Sequence, residues 1–335
     1  MIMSRTPFRI SLFGGGTDYP TWYREHGGTV VGTTINKYCY ISFRELPPFF
    51  EHRHRIVYSR IELPQSVEEI QHPAVRSVLS EYHVSDGVEI QHYGDLPARS
   101  GMGSSSSFTV GLINALRAHH GLISSADLLA REAIRIEQEV IQEAVGSQDQ
   151  VWAAYGGTNA ITFHTDGRFD VNRLILSAER RTELQSHLML FFTRFSRTAE
   201  TIAVHKIENL PARQSQLNCM RQMAEHAAMV LQSQSCPIAE IGTMLDESWQ
   251  LKKELADCVT TSAVDEIYAA AKSAGALGGK LLGAGGGGFM LIFAEPHRQA
   301  AIRQALRDLI EVSFEIGTPG SRIVIYEPHG FETGH

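Results

Sequence analysis

The stretch PARSGMGSSSS, residues 97–107, lies between a predicted strand over 88–92 and a predicted helix that begins at Ser104. Its glycines, Gly101 and Gly103, allow the backbone to turn several N–H groups toward one point. The helix that follows adds N–H donors and the positive end of its dipole, and the serine hydroxyls can bind phosphate oxygens or a magnesium ion. A flexible serine–glycine loop is the plainer interpretation, but the position directly before a helix favours a phosphate-binding loop.

A second glycine-rich stretch, KLLGAGGGGF, covers residues 280–289. Gly283, Gly285 and Gly288 have the G-x-G-x-x-G spacing of dinucleotide-binding folds, but that motif requires a helix after the glycines, and here the pattern predicts a strand. We therefore interpret the stretch as a loop whose backbone comes close to another group, with a tight turn between strands as the alternative. Neither a Walker A loop nor the HRD and DFG signatures of protein kinases occur in the chain.

The third stretch, PFRISLFGGGTDY, covers residues 7–19. A predicted strand that carries Arg9 ends in three glycines, and Asp18 follows them. The carboxylate of Asp18 could bond sugar hydroxyls. An ordinary strand end with an aspartate-capped turn explains the same residues equally well.

Two carboxylates suit the transfer of a phosphoryl group. Glu137 lies on a predicted helix over 124–143, and Asp149 lies between two glutamines in GSQDQ, residues 146–150. Phosphoryl transfer needs a hard oxygen ligand for magnesium and commonly a carboxylate near the attacking hydroxyl. Glu137 by itself could equally belong to a solvated helix face that carries several glutamates, whereas Asp149 has few charged neighbours.

Composition excludes several classes of protein. The chain has 335 residues, 43% of them hydrophobic, and a net charge of -7, so no basic field favours a nucleic acid. The absence of a long apolar run and of a signal-peptide pattern predicts a cytoplasmic protein, and the four scattered cysteines indicate neither a zinc site nor disulfides. The length and the irregular order of strands and helices predict two α+β domains, residues 1–180 and 181–335.

Together the three stretches resemble the GHMP kinase superfamily, which includes galactokinase and the homoserine, mevalonate and phosphomevalonate kinases. The strings PFRISLFGGGTDYP and SQDQVWAAYGG are most similar to the D-glycero-D-manno-heptose 7-phosphate kinases of this superfamily. Galactokinases usually carry a glutamate where this chain has Gly15, and that departure argues against galactose. The resemblance implies an S5-like N-terminal domain, a ferredoxin-like C-terminal domain, and ATP bound in the cleft.

The resemblance also implies roles for residues of the nucleotide site and of the reaction. Asp149 matches the catalytic aspartate of galactokinase and mevalonate kinase, and Arg9 matches the basic residue beside it. Glu137 matches the magnesium-binding glutamate, and Ser104 would be the second magnesium ligand. The glycines and serines that would hold ATP are Gly101, Gly103, Ser104, Ser105, Ser106, Gly285 and Gly286.

On the substrate side, Asp18 matches a sugar-binding aspartate, with Gly16 and Thr17 beside it. A phosphorylated sugar needs cations of its own, and Arg194 and Arg197, which follow a predicted strand, are the candidates. A surface pair of arginines explains these two residues equally well.

The reaction that the resemblance implies is the ATP-dependent phosphorylation of the anomeric hydroxyl of D-glycero-D-manno-heptose 7-phosphate. The 1,7-bisphosphate formed would lead to nucleotide-activated heptose for capsule or another surface polysaccharide. The alternatives are a kinase for fucose, galactose or another alcohol, a catalytically inactive ligand sensor with the same fold, and, on glycine spacing alone, a nicotinamide oxidoreductase. The expected ligands are ATP, Mg²⁺ and a sugar phosphate, with no nucleic acid and no membrane, and a homodimer is left open.

Overall fold

A computed structural model describes residues 1–195, 203 and 207–328. The strands are β1 (Ile2–Phe13), β2 (Gly28–Glu45), β3 (Arg55–Val57), β4 (Ile61–Glu62), β5 (Val88–Gly94), β6 (Thr158–Phe163), β7 (Phe169–Arg173), β8 (Leu188–Phe192), β9 (Gly278–Leu281), β10 (Phe289–Phe293), β11 (Ile310–Glu311) and β12 (Arg322–Tyr326). The α-helices are α1 (Pro20–His26), α2 (Pro73–Glu81), α3 (Ser104–His119), α4 (Ala126–Arg135), α5 (Gln148–Tyr155), α6 (Ala178–His187), α7 (Gln214–Gln232), α8 (Ala239–Lys253), α9 (Ser262–Ser273) and α10 (Gln299–Ala305).

The larger sheet has eight strands in the order β12-β1-β2-β5-β3-β4, and β6 pairs with both β2 and β7. The long antiparallel pair of β1 and β2 forms its centre. Residues 28–35 of β2 are all buried, because α3 and α5 pack on this sheet and α7 packs on it as well. Farther along the strand Tyr38 and Tyr40 are partly exposed, so one face of the sheet meets solvent there. The β-branched and aromatic residues of β2 suit this half-buried surface.

The smaller sheet is antiparallel, with four strands in the order β11-β8-β10-β9. All five residues of β10, FMLIF, are buried, and α8 packs against β9. Phe289 pairs with Phe192 and Leu291 with Leu190, so apolar side chains meet across the central strands. This sheet carries the second glycine-rich stretch between β9 and β10.

The chain returns to the larger sheet at its end, where β12 pairs antiparallel with β1. The last strand therefore lies in the sheet that begins the chain, and the division at residue 180 stays a prediction. None of the described helices is long and apolar enough to cross a membrane.

Two predicted helices differ from the structure, and one strand was not predicted. The pattern of residues 66–83 predicts one helix, but the structure has a short 3₁₀ turn, Val67–Glu69, followed by α2, because Pro73 holds the residue before it out of the helical region. The helix predicted over 124–143 ends at Arg135 and continues as a π-helix over Ile136–Val140. The sequence also gave no indication of β7.

Candidate active site

Arg9 connects the first strand to the phosphate loop, residues 97–107. It lies on β1 just after an irregularity in the pairing with β2, and only 5% of the residue is exposed. Its N–H donates to the Met102 carbonyl at 3.2 Å, and its Nη1 donates to the Gly101 carbonyl at 2.7 Å. The strand therefore fixes the backbone at the centre of this loop.

The same arginine forms a two-pronged pair with Asp149, the second residue of α5. Nε donates to Oδ1 at 2.8 Å and Nη2 donates to Oδ2 at 2.9 Å. A Cβ atom at Gly103 would lie 3.4 Å from the Asp149 carboxylate, so the pair stands against the phosphate loop. Burial raises the pKa of Asp149 and Arg9 opposes this effect, while the charge of Asp18 raises the pKa further. The Asp149 side chain is 26% exposed and can be reached by a ligand.

The two glycine-rich stretches are interlocked. A Cβ atom at Gly101 would lie 2.4 Å from the Leu282 carbonyl oxygen, and one at Gly283 would lie 2.4 Å from the Cα of Gly101. One at Gly288 would lie 2.3 Å from the carbonyl oxygen of Ser100. Side chains are excluded from these contacts, and this explains the glycines that the sequence left unexplained.

Gly285 and Gly286, which we predicted to hold ATP, lie against Val259. A Cβ atom at Gly285 would lie 2.6 Å from the Val259 carbonyl oxygen, and the Gly286 N–H donates to the same oxygen at 3.0 Å. In the described chain the contacts with the phosphate loop come from the glycines at either end of the stretch. A strand, β10, follows directly, as the sequence predicted, so the Rossmann arrangement does not apply.

The serines at the start of α3 have different surroundings. Ser104 accepts a hydrogen bond from the Arg99 N–H at 3.1 Å, and Ser105 is exposed on the first turn. Ser106 is buried and donates to Oε2 of Glu137 at 2.9 Å. The hydroxyl that meets Glu137 is thus that of Ser106. The predicted sharing of a magnesium ion by Ser104 and Glu137 stays a prediction.

Glu137 lies on the π-helical turn Ile136–Val140 and is fully buried. Its Oε2 accepts from Ser106 and from the Gln150 amide, the latter at 2.5 Å, whereas Oε1 has no hydrogen-bond partner among the described residues. Burial raises the pKa of Glu137 to about 7, although the nearby Thr109 hydroxyl and the two donors lower it. Among residues 1–195, 203 and 207–328, therefore, no cation pairs with this carboxylate.

Asp18 closes the loop that follows β1. Its Oδ1 accepts from the Gly16 N–H at 2.8 Å, and its backbone carbonyl accepts from the Ser147 N–H at 2.9 Å, just before α5. A Cβ atom at Gly146 would lie 2.0 Å from Oδ2, so that residue must be glycine here. The structure thus brings Asp18 and the start of α5 together.

Thr17, which we predicted to contact the substrate, is fully buried. Its hydroxyl has one hydrogen to donate, and the Gly14 and Thr29 carbonyls, at 2.9 and 3.1 Å, are both within reach of it; the same oxygen accepts from the Thr29 N–H. These bonds hold the loop against β2, and the contact of Thr17 with the substrate stays a prediction.

Arg194 is exposed and lies in a left-handed turn with φ 65° directly after β8. Thr193 donates to the Gly288 carbonyl at 2.9 Å, and the Phe195 carbonyl accepts from the Gly288 N–H at 2.9 Å. Because Gly288 contacts the phosphate loop, Arg194 stands near that loop. Arg197 lies outside the described residues.

A cluster of four rings, which the sequence did not reveal, lies beside the same loop. His72 stacks on Phe108 with ring centroids 4.5 Å apart, Tyr58 meets His72 edge-on at 4.8 Å, and His92 meets Phe108 edge-on at 5.3 Å. Burial, with a smaller contribution from the charge of Arg99 in the phosphate loop, lowers the pKa of His72 to about 4. The imidazole of His72 is therefore neutral near pH 7.

Comparisons with known proteins agree with this geometry. The GHMP kinases N terminal domain matches residues 69–157, and the GHMP kinases C terminal domain matches residues 237–311. The chain is 30% identical to the D-glycero-alpha-D-manno-heptose 7-phosphate kinase of Campylobacter jejuni, over 91% of this chain and 93% of that protein. It is 26% identical to the bifunctional fucokinase/GDP-fucose pyrophosphorylase of Arabidopsis thaliana, over 92% of this chain and 31% of that protein.

The fold is shared with solved structures. A D-glycero-D-manno-heptose 1-phosphate kinase from Bacteroides thetaiotaomicron superposes with a TM-score of 0.77 at 24% identity, over 98% of this chain and all of that one. The predicted α+β architecture is confirmed, as is the resemblance on which it was based. This chain belongs to the GHMP kinase family of phosphotransferases.

Proposed function

We propose that this protein is an ATP-dependent kinase that phosphorylates the anomeric hydroxyl of D-glycero-D-manno-heptose 7-phosphate and gives the 1,7-bisphosphate. The observation that carries the proposal is the two-pronged Arg9–Asp149 pair, held against the backbone of the phosphate loop. The similarity to the Campylobacter heptose 7-phosphate kinase supports the choice of sugar. The product would supply nucleotide-activated heptose for a surface polysaccharide.

The nucleotide site would combine the phosphate loop with the ring cluster of Tyr58, His72, His92 and Phe108. The N–H groups of the loop and of the first turn of α3 would bind the triphosphate. The base would lie against the rings, because Phe108 is on the second turn of α3 and an aromatic surface suits a flat base. His72, being neutral, adds no charge to that surface.

Magnesium fits the residues that surround Glu137. Oε1 of this buried carboxylate lacks a hydrogen bond, and no cation neutralises it within the described residues. The described residues contain no group of three or more His, Cys, Asp or Glu side chains placed for a metal. Magnesium does not require such a group, because it usually binds one or two protein carboxylates and completes its shell with phosphate and water. Bound magnesium would offset charge on the phosphate oxygens. Ser106 and Gln150 would hold Glu137 in its orientation.

Asp149 would accept the proton of the anomeric hydroxyl or orient that hydroxyl. Arg9 opposes the effect of burial on the pKa of Asp149 and so favours its ionised form near pH 7. Because the transition state of phosphoryl transfer is largely dissociative, the position of the hydroxyl matters as much as the strength of the base. The Arg9 fork fixes both oxygens of Asp149 and serves that positioning.

The phosphate of the substrate would be bound by Arg194 and Arg197. Arg194 is exposed, and its neighbours Thr193 and Phe195 bond to Gly288, which contacts the phosphate loop. A guanidinium group can grip a phosphate through two parallel hydrogen bonds. Energy from that remote contact can be used to position the anomeric hydroxyl, so its loss should lower kcat as well as raise KM.

Two other functions stay open as alternatives. A kinase for fucose is favoured by the similarity to the Arabidopsis fucokinase, and galactose is disfavoured by Gly15. A catalytically inactive ligand sensor would have no need for an Arg9–Asp149 fork or for a buried carboxylate without a cation.

The test is a steady-state comparison of sugars at saturating magnesium-ATP, with ADP release and sugar phosphate both measured. The panel is heptose 7-phosphate, free heptose, fucose and galactose, and the enzymes are wild type, Arg194→Ala and Arg197→Ala. We expect heptose 7-phosphate to have by far the highest kcat/KM and both variants to reduce that preference. Arg168→Ala, which removes an exposed arginine in the β6–β7 turn, is the control and should leave the preference unchanged.

Equal kcat/KM for the phosphorylated and free heptose would overturn the assigned substrate. A higher value for fucose would replace it with the first alternative. No phosphorylation of any sugar would favour the sensor. A preference that survives in both arginine variants would leave the substrate in place and move its phosphate site elsewhere.

A further inference from the structure

Two buried side chains next to the Arg9–Asp149 pair each carry an oxygen that has no hydrogen-bond partner in the described part of the chain. Ser11 is 6% exposed and Gln148 is 7% exposed. The hydroxyl of Ser11 and the Oε1 of Gln148 have no hydrogen-bond partner among the described residues. Because buried polar atoms in folded proteins are almost always paired, two such atoms close to one reaction centre require an explanation.

Both side chains converge on Gly15. A Cβ atom at Gly15 would lie 3.5 Å from Oγ of Ser11 and 3.6 Å from Nε2 of Gln148. Gly15 itself is partly exposed, and its backbone does not adopt the left-handed conformation of Gly14 and Gly16. Conformation therefore does not require a glycine at this position, and no side chain of residue 15 fills the space beside the two polar groups.

This space borders the groups that would act on the sugar. Ser11 lies two residues after Arg9 on β1, and Gln148 directly precedes Asp149 on α5. Gly16, the next residue of the loop, donates its N–H to Asp18. A group bound over Gly15 would therefore lie close to both Asp18 and Asp149.

We propose that Ser11 and Gln148 form a subsite that binds one hydroxyl group of the sugar substrate over Gly15. The proposal rests on the proposed function in requiring a sugar substrate, and it extends that function by two specificity-determining residues. The chemistry of the two groups selects a neutral hydroxyl, because a hydroxyl donates one hydrogen bond and accepts others, as Ser11 and Gln148 also do. Neither side chain carries a charge, so the subsite does not suit the phosphate of the substrate.

The alternative occupant is a structural water molecule. Two or more polar partners are enough to hold a buried water, and such a water would satisfy the same atoms in the free protein. The two occupants predict different effects of mutation. If a sugar hydroxyl binds there, changing Ser11 or Gln148 alters kcat/KM by an amount that depends on the sugar. If a structural water binds there, the same changes alter the stability of the protein and affect all sugars alike.

The experiment compares Ser11→Ala and Gln148→Met with wild type on the sugar of the panel that wild type phosphorylates best, and on the monodeoxy analogues of that sugar. Methionine keeps the length and the helix propensity of glutamine. Ser4→Ala is the matched control, since Ser4 is a buried serine on the same strand whose hydroxyl is already bonded to the Gly111 carbonyl at 2.7 Å.

We expect each variant to lower kcat/KM about 10-fold on the complete sugar, with the KM for ATP unchanged. One deoxy analogue should be a poorer substrate for wild type, and on that analogue the variants should cause less than about a 2-fold further loss. Ser4→Ala should lower Tm and leave the ranking of the sugars unchanged.

Loss by the same factor on every analogue, or no loss on any, would overturn the subsite and favour the structural water. If a sugar other than heptose 7-phosphate is the best substrate, the proposed sugar fails while the subsite is still measured on the sugar that replaces it. If no sugar is phosphorylated, the subsite fails together with the proposed function.

Discussion

Asp149 and Glu137 are two carboxylates of one site with opposite surroundings. Asp149 meets a permanent cation, Arg9, through two hydrogen bonds of 2.8 and 2.9 Å. Glu137 is fully buried, accepts from the neutral donors Ser106 and Gln150, and lies near the neutral Thr109 hydroxyl. Burial raises the pKa of both, but within the described part of the chain only Asp149 has a cation that opposes the effect.

Under the proposed function, Asp149 is a negative charge that the protein keeps ready, and Glu137 is one that a bound ligand neutralises. A carboxylate that must be ionised before any ligand binds needs its own cation, as Asp149 has. A carboxylate whose charge is to be matched by a bound cation is better left without one, since an internal partner would compete. The predictions that follow test whether this division holds.

The largest effect is expected from Asp149→Asn. The substitution keeps the shape of the side chain and removes its charge, and kcat should fall by about 10²- to 10⁴-fold while the KM for ATP stays nearly unchanged. Steady-state kinetics with varied ATP and sugar measures both constants. Turnover close to that of wild type would remove Asp149 from the mechanism and leave the Arg9 fork as a structural contact.

Replacing Arg9 should act on Asp149 through its pKa. Arg9→Met removes the charge and hydrogen bonds that lower this pKa, so the pKa should rise, and the rise of kcat with pH should move to higher pH. Below the new pKa Asp149 is protonated, and activity is lost there. Arg9→Lys retains the charge but not the fork, so its pH profile should stay closer to that of wild type although kcat is lower. Identical profiles for all three enzymes would contradict the assigned role of Arg9.

The sequence predicted the surroundings of Asp149 better than those of Glu137. Arg9 and Asp149 each lie in a stretch with a distinctive pattern, and the structure brings the two together. Glu137 was predicted on a regular helix, but it lies on a π-helical turn that no helical periodicity reveals. Ser106 rather than Ser104 meets it, because a shift of two residues on a helix turns a side chain by more than half a turn.

Contacts between distant segments were not accessible from the sequence. The ring cluster gathers Tyr58, His72, His92 and Phe108 from four separate segments of the chain, so no local pattern marks it. The same holds for the interlocked glycine stretches. Their glycines were conspicuous in the sequence, but the close backbone contact that requires them appears only in the fold.

A smaller effect is expected from Glu137→Gln on the magnesium requirement. Loss of one hard anionic ligand should raise the magnesium concentration for half-maximal activity by roughly 10- to 100-fold. The measurement is a magnesium titration of activity at fixed ATP. Glu132→Gln, one turn earlier on α4 and paired with Arg135, is the control and should not shift the titration. An unchanged titration in Glu137→Gln would show that the buried carboxylate does not serve the metal.

The smallest effect should be that of Glu137 on the stability of the folded protein. The raised pKa of Glu137 determines whether stability rises or falls with pH. The pKa of Glu137 is about 7 in the folded protein, above its usual value of 4.5. Below pH 4.5 the group is protonated in both the folded and the unfolded chain. Between pH 4.5 and 7 it ionises only in the unfolded chain, so the folded state loses stability as the pH rises. Above pH 7 the loss is complete and amounts to about 3 kcal/mol at most.

Glutamine at residue 137 cannot ionise, and one oxygen can still accept from both Ser106 and Gln150, since both donate to Oε2. In protein stripped of metal, Glu137→Gln should therefore be more stable than wild type at pH 8, by a few degrees in Tm, and this advantage should shrink toward pH 5. Thermal unfolding at both values with a chelator measures the difference, and added magnesium should narrow it at pH 8 by stabilising the wild type. An advantage equal at both pH values would mean that Glu137 ionises normally in its buried position, and the contrast with Asp149 would no longer hold.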